Sequence, residues 1–140
     1  MNSLIAFYNR ITSSFADLSL LLVRLTLAYG FYEPALKKLA HFDNIVIWFD
    51  QGLHLPFPYL NAVMATGAEA LGVISLVLGL KTRIFSLPLM VTMLVAIFMV
   101  HFDNGFAAKA NGFEIPFYYF IMLSVLLTHG AGKFSLDGRD

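Results

Sequence analysis

The chain has 140 residues, of which 59% are hydrophobic and 13% are charged, against roughly 25% charged residues in a typical soluble domain. One domain over residues 1–140 is expected at this length, and a water-soluble domain would need a polar surface that so few polar residues cannot provide. A formal net charge of zero argues against a nucleic-acid-binding protein. The absence of cysteine excludes disulfides, thiolate metal sites, iron–sulfur clusters and thioether haem attachment.

The first sixteen residues predict a helix that lies on the membrane surface. They lack the basic start, the apolar stretch and the cleavage site of a signal peptide. Apolar residues recur there at helical spacing, namely Leu4, Tyr8, Ile11, Phe15 and Leu18. We expect this stripe to face the lipid interface before the first membrane span.

Four long apolar segments predict membrane-spanning helices, since a span needs about 20 predominantly apolar residues. The segments cover residues 18–39, 58–80, 82–100 and 112–128. The fourth is short and opens with Glu114 and Pro116. Long continuous apolar runs favour helices over the alternating strands of a membrane barrel. The expected fold is therefore an all-α, four-helix antiparallel bundle in lipid.

The connections between the segments add detail. After the first segment, Trp48, Phe49 and Leu53 share one helical face with Ile45, which predicts a second short interfacial helix. Residues 79–83 are too few for anything but a tight hairpin. Two Asn-Gly pairs mark turns between the third and fourth segments.

The distribution of basic residues predicts the orientation, because short cytoplasmic loops retain positive charge. One side would carry Arg10, Lys81, Arg83, Lys133 and Arg139, and the other Lys37, Lys38 and Lys109. We therefore expect both termini in the cytoplasm.

Several stretches in this order resemble the DoxX family of small four-helix membrane proteins. They are LLLVRLTLAYGF and KKL in the first span, LPFPYLNAVMATGAEALGVISLVLGLKTR through the second, LVAIFMVHFDNGF, NGFEIPFYY and GAGKFSLD. One departure is Glu33-Pro34-Ala35, where many members carry a glycine.

The resemblance implies a bundle in the bacterial inner membrane. The family is named for its association with thiosulfate:quinone oxidoreductase, and members also accompany oxidative-stress and peptide-maturation proteins. The resemblance therefore implies quinone as a ligand, and either a protein partner or a homo-oligomer.

Two ionisable residues inside the spans are the first candidates for catalytic groups, because each costs roughly 2.5–3.5 kcal/mol at a helix centre. Glu69 shares a helical face with Ala65 and Gly72, so it should face the bundle interior. Counting residues from the cytoplasmic ends predicts that Arg24 reaches Glu69. Such a pair would either tune a proton donor or acceptor or merely lock two helices together, and Arg24 could instead extend to the interface.

A second cluster is expected at the outer interface, where Glu33, His101 and Glu114 would form a polar mouth with His101 as a proton shuttle. Lys37 can satisfy Glu33 at i,i+4, so ordinary ion pairing is the alternative. A metal site is not predicted, because these ligand types come from three separate spans with no local spacing motif.

Aromatic residues at the start of the fourth span form a run, which comprises Phe113, Phe117, Tyr118, Tyr119 and Phe120. Tyr118 is a candidate to contact a quinone ring, and the alternative is a membrane-interface belt.

Two functions from different classes remain open. The first is an inner-membrane subunit of a redox system that binds quinone or quinol within the bundle and works with a soluble partner. The second is a non-catalytic anchor or assembly factor whose buried charges are structural. A transporter is less favoured, because the second and third spans show no sign of broken helices.

Overall fold

The computed structural model describes residues 2–138, and all regular structure within that range is helical. The helices are α1 (Asn2–Ala40), α2 (Phe42–Ile47), α3 (Pro58–Leu78), α4 (Thr82–Val95) and α5 (Glu114–His129). Shorter π and 3-10 turns extend α2 and α4. The predicted all-α class is confirmed.

The first helix is longer than the sequence suggested. Its 39 residues extend about 58 Å at 1.5 Å per residue, well beyond the roughly 30 Å of a hydrocarbon core. Ser13, Ser14 and Ser19 donate hydroxyl hydrogen bonds to carbonyls one turn back, so they are satisfied within the helix instead of capping a new one. The helix also continues through Pro34. The prediction of a separate surface helix was therefore wrong.

Three helical stretches are long and apolar enough to cross a membrane, namely Asn2–Ala40, Pro58–Leu78 and Thr82–Asn104. α5 is also apolar but has only 16 residues, about 24 Å. Large apolar side chains cover the outside of these helices, as at Tyr29, which is 85% exposed, and Ile84, which is 63% exposed. So much exposed apolar surface requires lipid around it, and the chain is a multi-pass membrane protein.

The interior lies between α1, α3, α4 and α5. α1 packs along α3, α3 along α4, and α4 along α5, whereas α1 and α5 share fewer contacts. The buried core comprises Leu27, Ala28, Phe31, Leu76, Leu89, Met93, Leu123 and Leu126. Gly72 allows α3 and α4 to approach closely, since a Cβ there would lie 2.8 Å from Leu89 Cδ1.

α4 does not continue as a regular helix to its end. It changes to a π-helical turn at Ala96–His101 and then to a 3-10 turn at Phe102–Asn104. Pro88 lies inside the α-helical part and has no amide proton for the hydrogen bond one turn back. The helical stretch Thr82–Asn104 is nevertheless continuous, and π-helical turns occur frequently at functional sites.

Candidate ligand-binding site

A cavity of about 570 Å³ lies within the bundle, between α1, α3, α4 and the start of α5. This size is in the range of roughly 300–1,000 Å³ that is typical of small-molecule sites. Its walls are mostly apolar, and its polar lining includes Lys38, Glu69 and His101. We call it the central cavity.

Lys38 and Glu69 form an ion pair in the wall of this cavity. The Lys38 ammonium donates to Oε1 of Glu69, and the two side chains are 17% and 2% exposed. The second carboxyl oxygen, Oε2, is buried and has no hydrogen-bond partner among the described residues. An unsatisfied buried oxygen is costly, so it marks a place where a ligand or a water molecule would gain a hydrogen bond.

The position of Lys38 follows from the buried stripe of α1. Arg24, Phe31 and Ala35 are buried at helical spacing, and Lys38 continues that series three residues after Ala35. Lys37 lies off the stripe and is exposed. Lys38 is the functional candidate that the sequence analysis missed, because it was counted there as a loop charge.

Arg24 does not meet Glu69, so the predicted Arg24–Glu69 pair was wrong. Arg24 is fully buried and donates from Nη1 to the Leu76 carbonyl at 3.0 Å and from Nη2 to the Phe134 carbonyl. Leu76 lies seven residues from Glu69, about 10 Å along α3. The guanidinium therefore caps the C-terminal end of α3, away from the cavity.

Residues 130–138, which we call the C-terminal tail, complete this end of the bundle. The Leu136 and Asp137 amides donate to the carbonyls of Leu78 and Gly79 at 3.0 and 2.9 Å. The Asp137 carboxylate accepts from the amides of Lys81 and Thr82 at the start of α4. Arg24 is thus a positioning residue for the tail and for the α3–α4 turn.

The outer cluster of Glu33, His101 and Glu114 is not brought together. Glu33 pairs with Lys37 at 2.6 Å on the exposed side of α1. Glu114 accepts from the Ala108 amide at 3.1 Å. Neither carboxylate lines the central cavity, because each is held by a partner close to it in sequence. Among residues 2–138, no three His, Asp or Glu side chains are arranged to hold a metal ion.

His101 does line the central cavity, at the end of the π-helical turn. Its Nδ1 lies 2.9 Å from the Asn111 carbonyl, which can only accept a hydrogen bond. Nδ1 therefore carries a proton in this arrangement, and Nε2 is the acceptor of the neutral ring. The turn thus adds a titratable group to the wall of the cavity.

Tyr119, rather than the predicted Tyr118, reaches the cavity. Tyr118 is 45% exposed, and its hydroxyl lies 3.5 Å from Glu114 Oε1. Tyr119 lines the cavity and packs against α1, with its ring centroid 5.6 Å from that of Phe31. Gly30 makes room for it, since a Cβ at Gly30 would lie 2.0 Å from the Tyr119 hydroxyl oxygen.

The segment after α1 closes one end of the cavity. The π-helical turn Trp48–Gly52 follows α2, Phe49 is 6% exposed, and Trp48 lines the cavity with Phe49 and Leu53. The sequence predicted that this apolar face would lie on the membrane. Phe49 packs into the protein, whereas Trp48 on the same face stays 40% exposed.

The arrangement can bind a molecule that is mostly apolar and carries a few polar atoms. The Lys38 ammonium donates hydrogen bonds, whereas an ionised Glu69 carboxylate and the neutral His101 Nε2 accept them. Glu69 and His101 can also take up or release a proton. The site therefore suits a ligand whose carbonyl or hydroxyl groups change protonation.

A family model, DoxX, matches residues 19–102 of the chain. The chain is also 35% identical over 129 residues to an uncharacterized protein of Haemophilus influenzae, with 87% of this chain and 83% of that protein covered. No solved structure matches the chain.

Proposed function

Given that this chain belongs to the DoxX family, we propose that it is a membrane subunit of a redox system and binds quinone or quinol in the central cavity. The observation that carries the proposal is the Lys38–Glu69 pair, which places a buried carboxyl oxygen without a partner in the wall of an apolar cavity. A buried ion pair is costly in an apolar surrounding, and a ligand that bonds to both charges offsets that cost.

Each polar group has a role toward such a ligand. Lys38 donates to a quinone carbonyl, and Glu69 accepts from a quinol hydroxyl. Quinone becomes quinol by gaining two electrons and two protons, and Glu69 and His101 can each take up a proton that comes from the aqueous phase and pass it to the quinone. The electrons come from a protein partner, because this cysteine-free chain has no thiolate to bind an iron–sulfur cluster.

The proposed topology has four antiparallel spans in the bacterial inner membrane, with both termini in the cytoplasm. The tail side carries Arg10, Lys81, Arg83 and Lys133, and Arg139 lies outside the described residues. Lys38 does not count as a loop charge, because it pairs with Glu69 inside the bundle. Without Lys38, the full sequence has five basic residues on the tail side, Arg139 included, against two on the other.

A non-catalytic anchor or assembly factor is the second candidate function. It is favoured by residues 2–16 of α1, all of which are exposed. This N-terminal extension projects about 22 Å beyond the packed part of the helix and offers a surface to a partner protein or a second copy. In that case the Lys38–Glu69 pair only holds α1 against α3.

Extraction of quinone from the purified protein separates the two functions. The protein is isolated in mild detergent, and bound quinone is quantified for the wild type, Glu69→Gln and Lys38→Met. Glu33→Gln and Lys37→Met are matched controls, because they change the same residue types in an exposed ion pair. Quinone that is retained by the wild type and both controls but lost from both cavity variants supports the redox function. Absence of quinone from the wild type, even after incubation with it, supports the anchor.

A further inference from the structure

The central cavity reaches the outer surface of the protein between α3 and α4. The two helices pack closely at Gly72 and Leu89 and then enclose the cavity farther from their connecting turn. Met64 and Val91 line the cavity but are 61% and 59% exposed, and Pro88 of α4 is also lining and exposed. Residues that line the cavity and are also exposed at the protein surface mark the rim of an opening, which we call the α3–α4 opening.

The opposite side, between α1 and α5, is narrowed by Tyr119. The Tyr119 ring occupies the space over Gly30 and packs against Phe31. Pro34 and Ile115 also line the cavity and are exposed, so they mark a second rim beside the Tyr119 ring. The rim that lies away from this ring runs past Met64, Pro88 and Val91.

Polarity changes along the path through the α3–α4 opening. Its inner end carries the buried Lys38–Glu69 pair, whereas the three rim residues are apolar. We propose that the ligand enters sideways from the bilayer through the α3–α4 opening and is a long-chain lipid quinone, with its ring at the pair and its chain in the opening. This inference rests on the proposed quinone binding and adds the route by which the quinone enters and the requirement that it carry a polyprenyl chain.

The length of the polyprenyl chain of the quinone determines where that chain lies. The cavity has the size of a site for a drug-sized molecule, and a polyprenyl chain is far longer. The polyprenyl chain must leave the cavity at a point where the wall is open to lipid, because outside that point it is surrounded by hydrocarbon and its apolar surface stays out of water. A bulky side chain across the opening should therefore hinder a chain-bearing quinone and spare a bare ring.

Trp48 provides the assay. It is the single tryptophan of the sequence and lines the cavity, so a bound quinone should quench its fluorescence. The protein is reconstituted in phosphatidylcholine vesicles and titrated with a polyprenyl benzoquinone or with dimethoxybenzoquinone, which has no chain. The double variant Met64→Phe/Val91→Phe narrows the opening without adding a tryptophan. Ile115→Phe is the control on the α1–α5 side.

The expected result is that the double variant weakens quenching by the polyprenyl quinone roughly tenfold or more in Kd and changes that of the chain-free quinone less than about twofold. Ile115→Phe should change neither. Equal loss of both quinones, no loss of either, or an effect of Ile115→Phe instead would overturn the α3–α4 route. A wild type that shows no saturable quenching with either quinone would instead overturn the proposed quinone binding itself. Retained binding of the chain-free quinone shows that the variant is folded.

Discussion

Replacing Arg24 with methionine should release the C-terminal tail. The guanidinium is fully buried and donates to the carbonyls of Leu76 and Phe134. Methionine fills most of the volume but donates nothing, so both carbonyls lose a partner. A buried carbonyl without a donor costs about 1–3 kcal/mol, which is the expected loss in the free energy of unfolding, because the Leu76 contact is buried whereas Phe134 is 51% exposed and its carbonyl can bind water.

The assay is reversible unfolding in mixed micelles with increasing dodecyl sulfate, monitored by far-UV circular dichroism. Arg10→Met is the matched control, because Arg10 is exposed on the N-terminal extension and should change stability by less than about 0.5 kcal/mol. Hydrogen exchange gives a local readout, since the Leu136 and Asp137 amides donate to Leu78 and Gly79 and should exchange faster in Arg24→Met. A loss below about 1 kcal/mol, with these two amides still protected, would refute the capping role.

Three further predictions follow from other contacts. A double-mutant cycle of Lys38→Met and Glu69→Met in unfolding experiments should show a coupling energy of about 0.5–3 kcal/mol, whereas the effects of Arg24→Met and Glu69→Met should add within about 0.5 kcal/mol. A larger coupling energy for Arg24 with Glu69 than for Lys38 with Glu69 would support the Arg24–Glu69 pair that the sequence predicted. Gly30→Ala should cost about 1–3 kcal/mol, because its Cβ would lie 2.0 Å from the Tyr119 hydroxyl oxygen. Gly67→Ala, with nothing within 4 Å of its Cβ, should be neutral or stabilising. Equal effects of the two glycine substitutions on thermal unfolding would contradict the packing of Tyr119 against Gly30. A cysteine placed at Asn104 should react with an impermeant maleimide in intact cells, and one at Ser3 should not; labelling at Ser3 would reverse the topology.

The apolar helices were predictable from the sequence because their signal is local. Composition and four long apolar runs indicate helices in lipid without knowledge of any contact. α3 and α4 begin where the sequence analysis placed them, at Pro58 and Thr82. A helix over the first residues was also predicted, but not that it continues into the first span, because that depends on the backbone whose carbonyls accept from the hydroxyls of Ser13, Ser14 and Ser19.

The ion pairs were harder to predict, because they depend on how far side chains reach between helices. Counting residues from the membrane edge placed Arg24 and Glu69 at compatible depths. That count ignored the carbonyls at the end of α3 and the C-terminal tail, which compete for the guanidinium. The burial of Lys38 could have been predicted from the sequence, because its spacing of three and seven residues from Ala35 and Phe31 assigns it to the buried face of α1.

The outer cluster shows a different limit. Glu33, His101 and Glu114 were grouped because topology places them near one interface. Glu33 instead bonds to Lys37, and Glu114 to the Ala108 amide. A shared depth does not bring side chains together when each has a nearer partner within a few residues.

Photoaffinity labelling tests the central claim most directly, because it reports where quinone lies. The protein in phosphatidylcholine vesicles is irradiated with an azido-substituted polyprenyl benzoquinone, and the labelled residues are mapped by mass spectrometry. The account predicts labels on cavity residues such as Met64, Met93 and Tyr119, and their loss in Glu69→Gln but not in Glu33→Gln. Labels spread over lipid-facing residues such as Leu71 and Ile84, and unchanged in Glu69→Gln, would contradict it.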